Sequence, residues 1–152
     1  MNGERPVDGV LDALPHTGAM RLLSRVVELG SAEATTQVDV TAASLFLLPG
    51  RGVAAWAALE YLGQTAALIG LQQPSVDIAA SEALPDDGFL LGSRQLDLHV
   101  DAYPIGSTLT VRCQAAGDVG GSLASFEGTV HDESGRLLAS GSLSVVRVAR
   151  AP

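Results

Sequence analysis

Lysine is absent from the chain, and its nine basic residues are all arginines, none next to another. With a net charge of −8 and no basic run, the sequence lacks the cationic stripe that nucleic-acid binding requires. A single cysteine, Cys113, excludes an internal disulfide framework. It falls in phase with Leu109 and Val111 and reads as a small buried strand residue. Aromatic residues make up only 4% of the chain, so a core has to be assembled from Ala, Val and Leu. Charged residues are also scarce, at 17% against 47% hydrophobic, a balance that excludes disorder.

No His, Cys, Asp or Glu cluster has metal-ligand spacing, and no glycine-rich loop follows a strand and opens a helix. Neither a metal nor another cofactor is expected. The N-terminal MNGERPVDGV carries no apolar run after its one Arg, unlike a secretory signal. The expectation is a soluble, cytoplasmic protein, one domain over 1–152 with a loose N-terminus over 1–9.

What the chain does have is one long apolar segment, GVAAWAALEYLGQTAALIGL, from Gly52 to Leu71. Its length approaches that of a membrane span. Glu60, Gln64 and two glycines interrupt it, however, and no positive flank anchors it. It reads instead as a central helix over about 53–71, stopped by Pro74. A helix apolar on nearly every side has to be buried on nearly every side. Trp56, Glu60 and Gln64 follow one another at one-turn spacing and share a face. An acid buried there must be paired or protonated. A protonated carboxyl in such a place suits a general acid; the alternative is a structural Glu that bonds a loop or a partner subunit.

Around this helix the sequence reads as strands. A short helical turn is expected over Val10–Leu14, and PHTG at 15–18 is a turn by composition. The run from Leu22 and the alternating Glu33 to Val40 form an expected antiparallel pair. Residues 72–87 are acidic and turn-rich and read as a surface loop. Alternation returns in Phe89–Val100, Ser107–Ala116, Leu123–His131 and Arg136–Val148, with a hairpin turn at Asp132–Gly135. The order β-β-α-β-β-β-β favours an antiparallel sheet. For that sheet to bury so apolar a helix it must curl around it, with a second subunit covering the remainder. This is an α+β hotdog fold.

Three motifs resemble one family. LPHTGAMRLLSRVVEL resembles the opening of the 3-hydroxyacyl-[acyl-carrier-protein] dehydratases. AAWAALEYLGQTAAL resembles their central helix, with its acid and a Gln one turn on. GFLLGSRQLDLHV, followed by the Gly106–Leu109 turn, resembles the next strand. Within that family the chain looks most like the ApeP-like branch, associated with aryl polyene biosynthesis.

The resemblance implies dehydration of a 3-hydroxyacyl thioester on acyl carrier protein to the trans-2-enoyl thioester. It also implies a dimer, of identical or paralogous subunits, in which a His takes the α-proton and an acid helps the β-hydroxyl leave as water. A backbone N–H at the start of the helix would polarise the thioester carbonyl. Carried onto this sequence, the acid is Glu60, the amide donors are those of Ala55 and Trp56, and Gln64 orients Glu60 or substrate; as a structural residue Gln64 would be a buried amide tying the helix to the sheet. Arg21, Arg25 and Arg94 accompany the motifs and suit docking of an acidic carrier protein; the alternative is that they are ordinary surface arginines.

One element departs from the pattern. The family keeps its catalytic His in a Gly-His-Phe-Pro motif ahead of the helix acid. Here that region reads LFLLPGRG, Phe46 stands at about the His position, and no His occurs between His16 and His99. His16 is then the candidate base; as a structural residue it would bond a backbone carbonyl. His99 and His131 are expected to face solvent. Besides a dehydratase, the residues admit a non-catalytic subunit that completes a heterodimer, and a hotdog thioesterase in which Glu60 activates water.

Overall fold

The computed structural model describes residues 9–14, 18–71, 87–116 and 123–148. A 3₁₀ turn at Val10–Ala13 and another at Gly18–Met20 lead into β1 (Arg25–Leu29) and β2 (Glu33–Asp39). Two short strands follow, β3 (Leu47–Leu48) and β4 (Gly52–Ala54), then a 3₁₀ turn at Ala55–Ala57 that runs into helix α1 (Ala58–Leu71). The chain continues with β5 (Asp87–Leu98), β6 (Ala102–Tyr103), β7 (Thr108–Ala115), β8 (Leu123–His131) and β9 (Leu137–Val148).

Six of these strands form one antiparallel sheet in the order β1-β2-β7-β8-β9-β5. Alternation decides which face meets the helix. Ala34, Thr36 and Val38 of β2, Leu109, Val111 and Cys113 of β7, and Ala124, Phe126 and Val130 of β8 are all buried. The residues between them, among them Gln37, Arg112 and Glu127, are exposed or half-buried on the outer face. α1 lies against the inner face and buries Ala58, Tyr61, Leu62, Thr65, Ala66, Leu68 and Ile69.

Two features bring helix and sheet close. Gly128 stands where α1 crosses β8, and a Cβ there would lie 2.5 Å from Leu62 Cδ2 and 2.8 Å from the Arg112 carbonyl oxygen. Between Thr36 and Thr65 the hydroxyls meet at 2.9 Å, both fully buried. Thr65 Oγ1 donates to the Tyr61 carbonyl at 2.8 Å, so its single proton is occupied and Thr36 is the donor in the pair. Cys113 is buried at this junction as expected, with its Sγ 3.4 Å from the Leu62 carbonyl. Burial pushes its thiol up to about 12, so no thiolate forms near neutral pH.

The β8–β9 hairpin falls at the expected turn. Asp132 Oδ1 accepts from the Ser134 hydroxyl and from the amides of Ser134 and Arg136. Those bonds, the Ser134 hydroxyl first, hold the carboxyl below its usual range.

The structure corrects the expected helix at its start. Gly52–Ala54 is a strand, not a helical turn, and pairs with β3 and β6 in a second, three-stranded sheet. The physical reason is at Gly52, which takes φ 109°, a conformation open to glycine and alien to a helix. As a result the α-helix proper begins at Ala58, and Glu60 lies in its first turn. The expected loop at 72–87 lies almost entirely outside the described residues. Among the described residues no helix is long and apolar enough to cross a membrane.

Candidate active site

The second sheet builds the entrance to α1. Val53 pairs with Tyr103 and Ala54 with Ala102, while the Ala54 N–H donates to the Phe46 carbonyl at 2.9 Å. Ala55 is then gripped at both of its backbone groups: its N–H donates to the Asp101 carbonyl at 3.1 Å, and its carbonyl accepts from the Tyr103 hydroxyl at 2.9 Å. Tyr103 is fully buried, its ring 6.0 Å from that of Tyr61. Burial and the neighbouring Tyr61 hold its hydroxyl well above the ordinary phenol range, so it stays protonated and a donor.

Past this grip the chain comes to the surface. Trp56 is 52% exposed, and its ring lies 4.8 Å from that of Phe46, tilted by 53°. Phe46 is the described non-glycine residue with positive φ, at 64°. For a bulky side chain that is strained backbone, here held by the Ala54–Phe46 hydrogen bond and by contact with Trp56. Trp56 thus stands one turn ahead of Glu60, and the ring packed on it, Phe46, is the residue at about the sequence position where the resemblance puts a histidine.

Glu60 is half-buried rather than enclosed. Trp56, Glu60, Gly63, Ala67 and Gly70 recur at helical spacing, Trp56 exposed and the others half-buried. They form one stripe that the sheet leaves open. The helix is thus apolar nearly all round but covered on one side only. Among the described residues the Glu60 carboxyl has no hydrogen-bond or ion-pair partner, so it stands open to a ligand lying along the stripe.

Gln64, one turn on, is fully buried and turned away from that role. Its Oε1 accepts from the Leu22 N–H at 3.0 Å and its Nε2 donates to the Met20 carbonyl at 2.8 Å. Both ends of the amide are occupied by backbone, so Gln64 stands as the buried amide of the structural alternative and ties the helix to the segment leading into β1. Gln64→Leu keeps most of the volume but leaves the Leu22 N–H and the Met20 carbonyl without partners, and should cost about 1–3 kcal/mol. Urea unfolding checks this, as a lowered midpoint with an unchanged slope.

His16 lies outside the described residues. His99 is exposed at the end of β5. His131 is half-buried, which corrects the expectation of a solvent-facing ring, and its Nδ1 has no partner among the described residues. It sits on the β8 position opposite Thr110, on the outer phase of the sheet. The three arginines are not gathered into one patch. Arg21 pairs with Asp12 at 2.9 Å. Arg25 on β1 bonds Gln37 at 2.7 Å and also Asp39. Arg94 is exposed on β5, at the opposite edge of the sheet from β1. Among the described residues no three His, Cys, Asp or Glu side chains stand together as metal ligands.

A sheet wrapped along one side of a single helix, with an acid in the helix's first turn, defines a hotdog-fold protein. Residues 9–151 match the ApeP-like family, described as ApeP dehydratase, and the chain belongs to that family. In the dehydratase heterocomplex ApeI:P from Xenorhabdus doucetiae, a similar chain shares 26% identity at a TM-score of 0.75, over 91% of this chain and 90% of that one. A hypothetical thioesterase from Streptococcus pneumoniae TIGR4, solved with coenzyme A, shares the fold at 12% identity and a TM-score of 0.64, over 84% of this chain and 88% of that one. So does the Escherichia coli PaaI protein of the phenylacetic acid degradation operon, at 14% and 0.60, over 81% and 78%. No curated protein matches the chain.

Sequence reasoning passed over Tyr103. Its signal was faint: a lone aromatic in DAYP, between strands, with no alternation around it. A buried tyrosine needs an acceptor for its hydroxyl, but nothing in the sequence says that the acceptor is Ala55, 48 residues earlier.

Proposed function

We propose that this protein dehydrates a 3-hydroxyacyl thioester carried by acyl carrier protein, giving the trans-2-enoyl thioester, in a fatty-acid-like or polyene synthesis. The observation that carries the reading is the unpartnered Glu60 carboxyl on the open stripe, one turn past the amides that begin the helix. A base removes the α-proton, the C–O bond to the β-carbon breaks, and Glu60 delivers its proton to the departing hydroxyl, which leaves as water. Charge develops meanwhile on the thioester oxygen, and amides at a helix start suit it. The Ala55 N–H is occupied by Asp101, so the amide of Trp56 is the first candidate. Trp56 and Phe46 wall the acyl chain, and His16 or a histidine of a second subunit supplies the base.

A second reading has its own support. Phe46 cannot take a proton, and it stands where the family's base belongs; the related Xenorhabdus assembly is a heterocomplex. In this reading the chain is the subunit that pairs with a paralogous dehydratase, and the working site is shared between them.

Purified protein incubated with a 3-hydroxyacyl thioester of acyl carrier protein separates these. Enoyl product from the chain alone supports the first reading. Product that forms only when a paralogue is added supports the second. Free thiol without enoyl product would overturn both in favour of thioester hydrolysis.

A further inference from the structure

The peptide unit between Ala55 and Trp56 has two working ends. Its carbonyl, on Ala55, receives the buried Tyr103 hydroxyl at 2.9 Å. Its N–H, on Trp56, belongs to the same rigid plane and in a trans peptide points the opposite way. With the carbonyl turned inward to Tyr103, the N–H is turned outward, at the helix start where Trp56 surfaces. The same carbonyl also accepts the Ala58 N–H of the helix's first turn; rotation of this plane would swing both ends together, and the Tyr103 bond adds to the helix's own in opposing it.

Three contacts make that bond a fixed one. Tyr103 is itself held in the β4–β6 ladder opposite Val53. Its backbone is packed against Gly52, where a Cβ would fall 1.9 Å from the Tyr103 carbonyl oxygen. The preceding amide, Ala55 N–H, is tied to the carbonyl of Asp101, the residue just before β6. The hydroxyl therefore reaches the Ala55 carbonyl from a rigid base. A hydrogen bond to a carbonyl also polarises the N–H of the same peptide, strengthening it as a donor.

We propose that Tyr103 is a positioning residue for the thioester: by bonding the Ala55 carbonyl it aims and strengthens the Trp56 N–H that stabilises the substrate oxygen. The inference rests on the dehydratase reading above. Tyr103 touches no substrate and acts only through the peptide it holds. Its elevated pKa keeps the proton in place across the working range.

The test uses the full chain, together with the paralogue if turnover requires one, and a 3-hydroxyacyl thioester of acyl carrier protein as substrate. In Tyr103→Phe the ring remains and only the hydroxyl is lost. Turnover number should fall about tenfold, the order of one weakened hydrogen bond in the transition state, with KM within about twofold. Infrared spectra of a bound saturated acyl thioester give a readout that a merely structural role would not move. The carbonyl band should shift to lower frequency in the wild type and return towards its position in water in the variant.

Should Tyr103→Phe not fold, 3-fluorotyrosine placed at 103 supplies a stronger donor of nearly the same shape and should shift the band further down. Wild-type rates and an unchanged band in either variant would overturn the role of Tyr103. Absence of turnover in the wild type, with and without the paralogue, would instead overturn the dehydratase reading.

Discussion

Glu60→Gln should lower enoyl-thioester formation by about 10²–10⁴-fold, the range that general acid catalysis supplies, while leaving stability almost untouched. The two effects separate because of where Glu60 sits. It is half-buried and, among the described residues, makes no hydrogen bond or ion pair that the amide would break. Substitutions at positions without such bonds usually change stability by no more than about 0.5 kcal/mol. The amide keeps the size and planarity of the side chain but has no proton to give the departing hydroxyl. Turnover and urea unfolding measured on the same preparation check the pair of outcomes. A variant that unfolds easily would point to a structural acid, and one that turns over normally would remove Glu60 from the chemistry.

Gly52→Ala should be the most damaging small substitution at the helix entrance, costing about 3 kcal/mol, the upper end of what single substitutions ordinarily do. Two causes add. The backbone at Gly52 has φ 109°, which an L side chain rarely adopts. The new Cβ would also meet the Tyr103 carbonyl at 1.9 Å and the Pro104 Cα at 2.9 Å. Those neighbours are backbone and cannot rotate away, so β4 and β6 would have to part. Parting them releases the grip on Ala55, and activity should fall further than the loss of folded protein explains. Chemical unfolding, with turnover scaled to the folded fraction, tests both halves; a stability within 0.5 kcal/mol of wild type would be incompatible with the contact described.

The large sheet was legible because alternation over seven or more residues is a strong signal. Glu33–Asp39 and Leu123–His131 read as strands from their pattern and are strands in the structure. The small sheet was not legible. Leu47–Leu48, Gly52–Ala54 and Ala102–Tyr103 are two or three residues long, too short to show a period. Inside an apolar run, Gly52-Val53-Ala54 looks like helix until the ladder to Tyr103 is seen. At the site, Glu60 and Trp56 could be singled out because a charge and an indole stand out in an alanine-rich helix. Gln64 was noticed for the same reason, but its partners, Met20 and Leu22, are more than forty residues away in sequence. Long-range bonds of a side chain to backbone leave no local pattern, so the sequence admits a tie at Gln64 without showing which segment it holds.

Cys113 has a use that its silence in the chemistry makes possible. It is the chain's one thiol, closed in between β7 and the Leu62 carbonyl. A reagent that attacks thiolates can reach it only in molecules where α1 has lifted from the sheet. The rate of alkylation, set against that of a free thiol, therefore gives the free energy of that local opening. The unaltered protein thus carries its own clock for how often the helix leaves its bed.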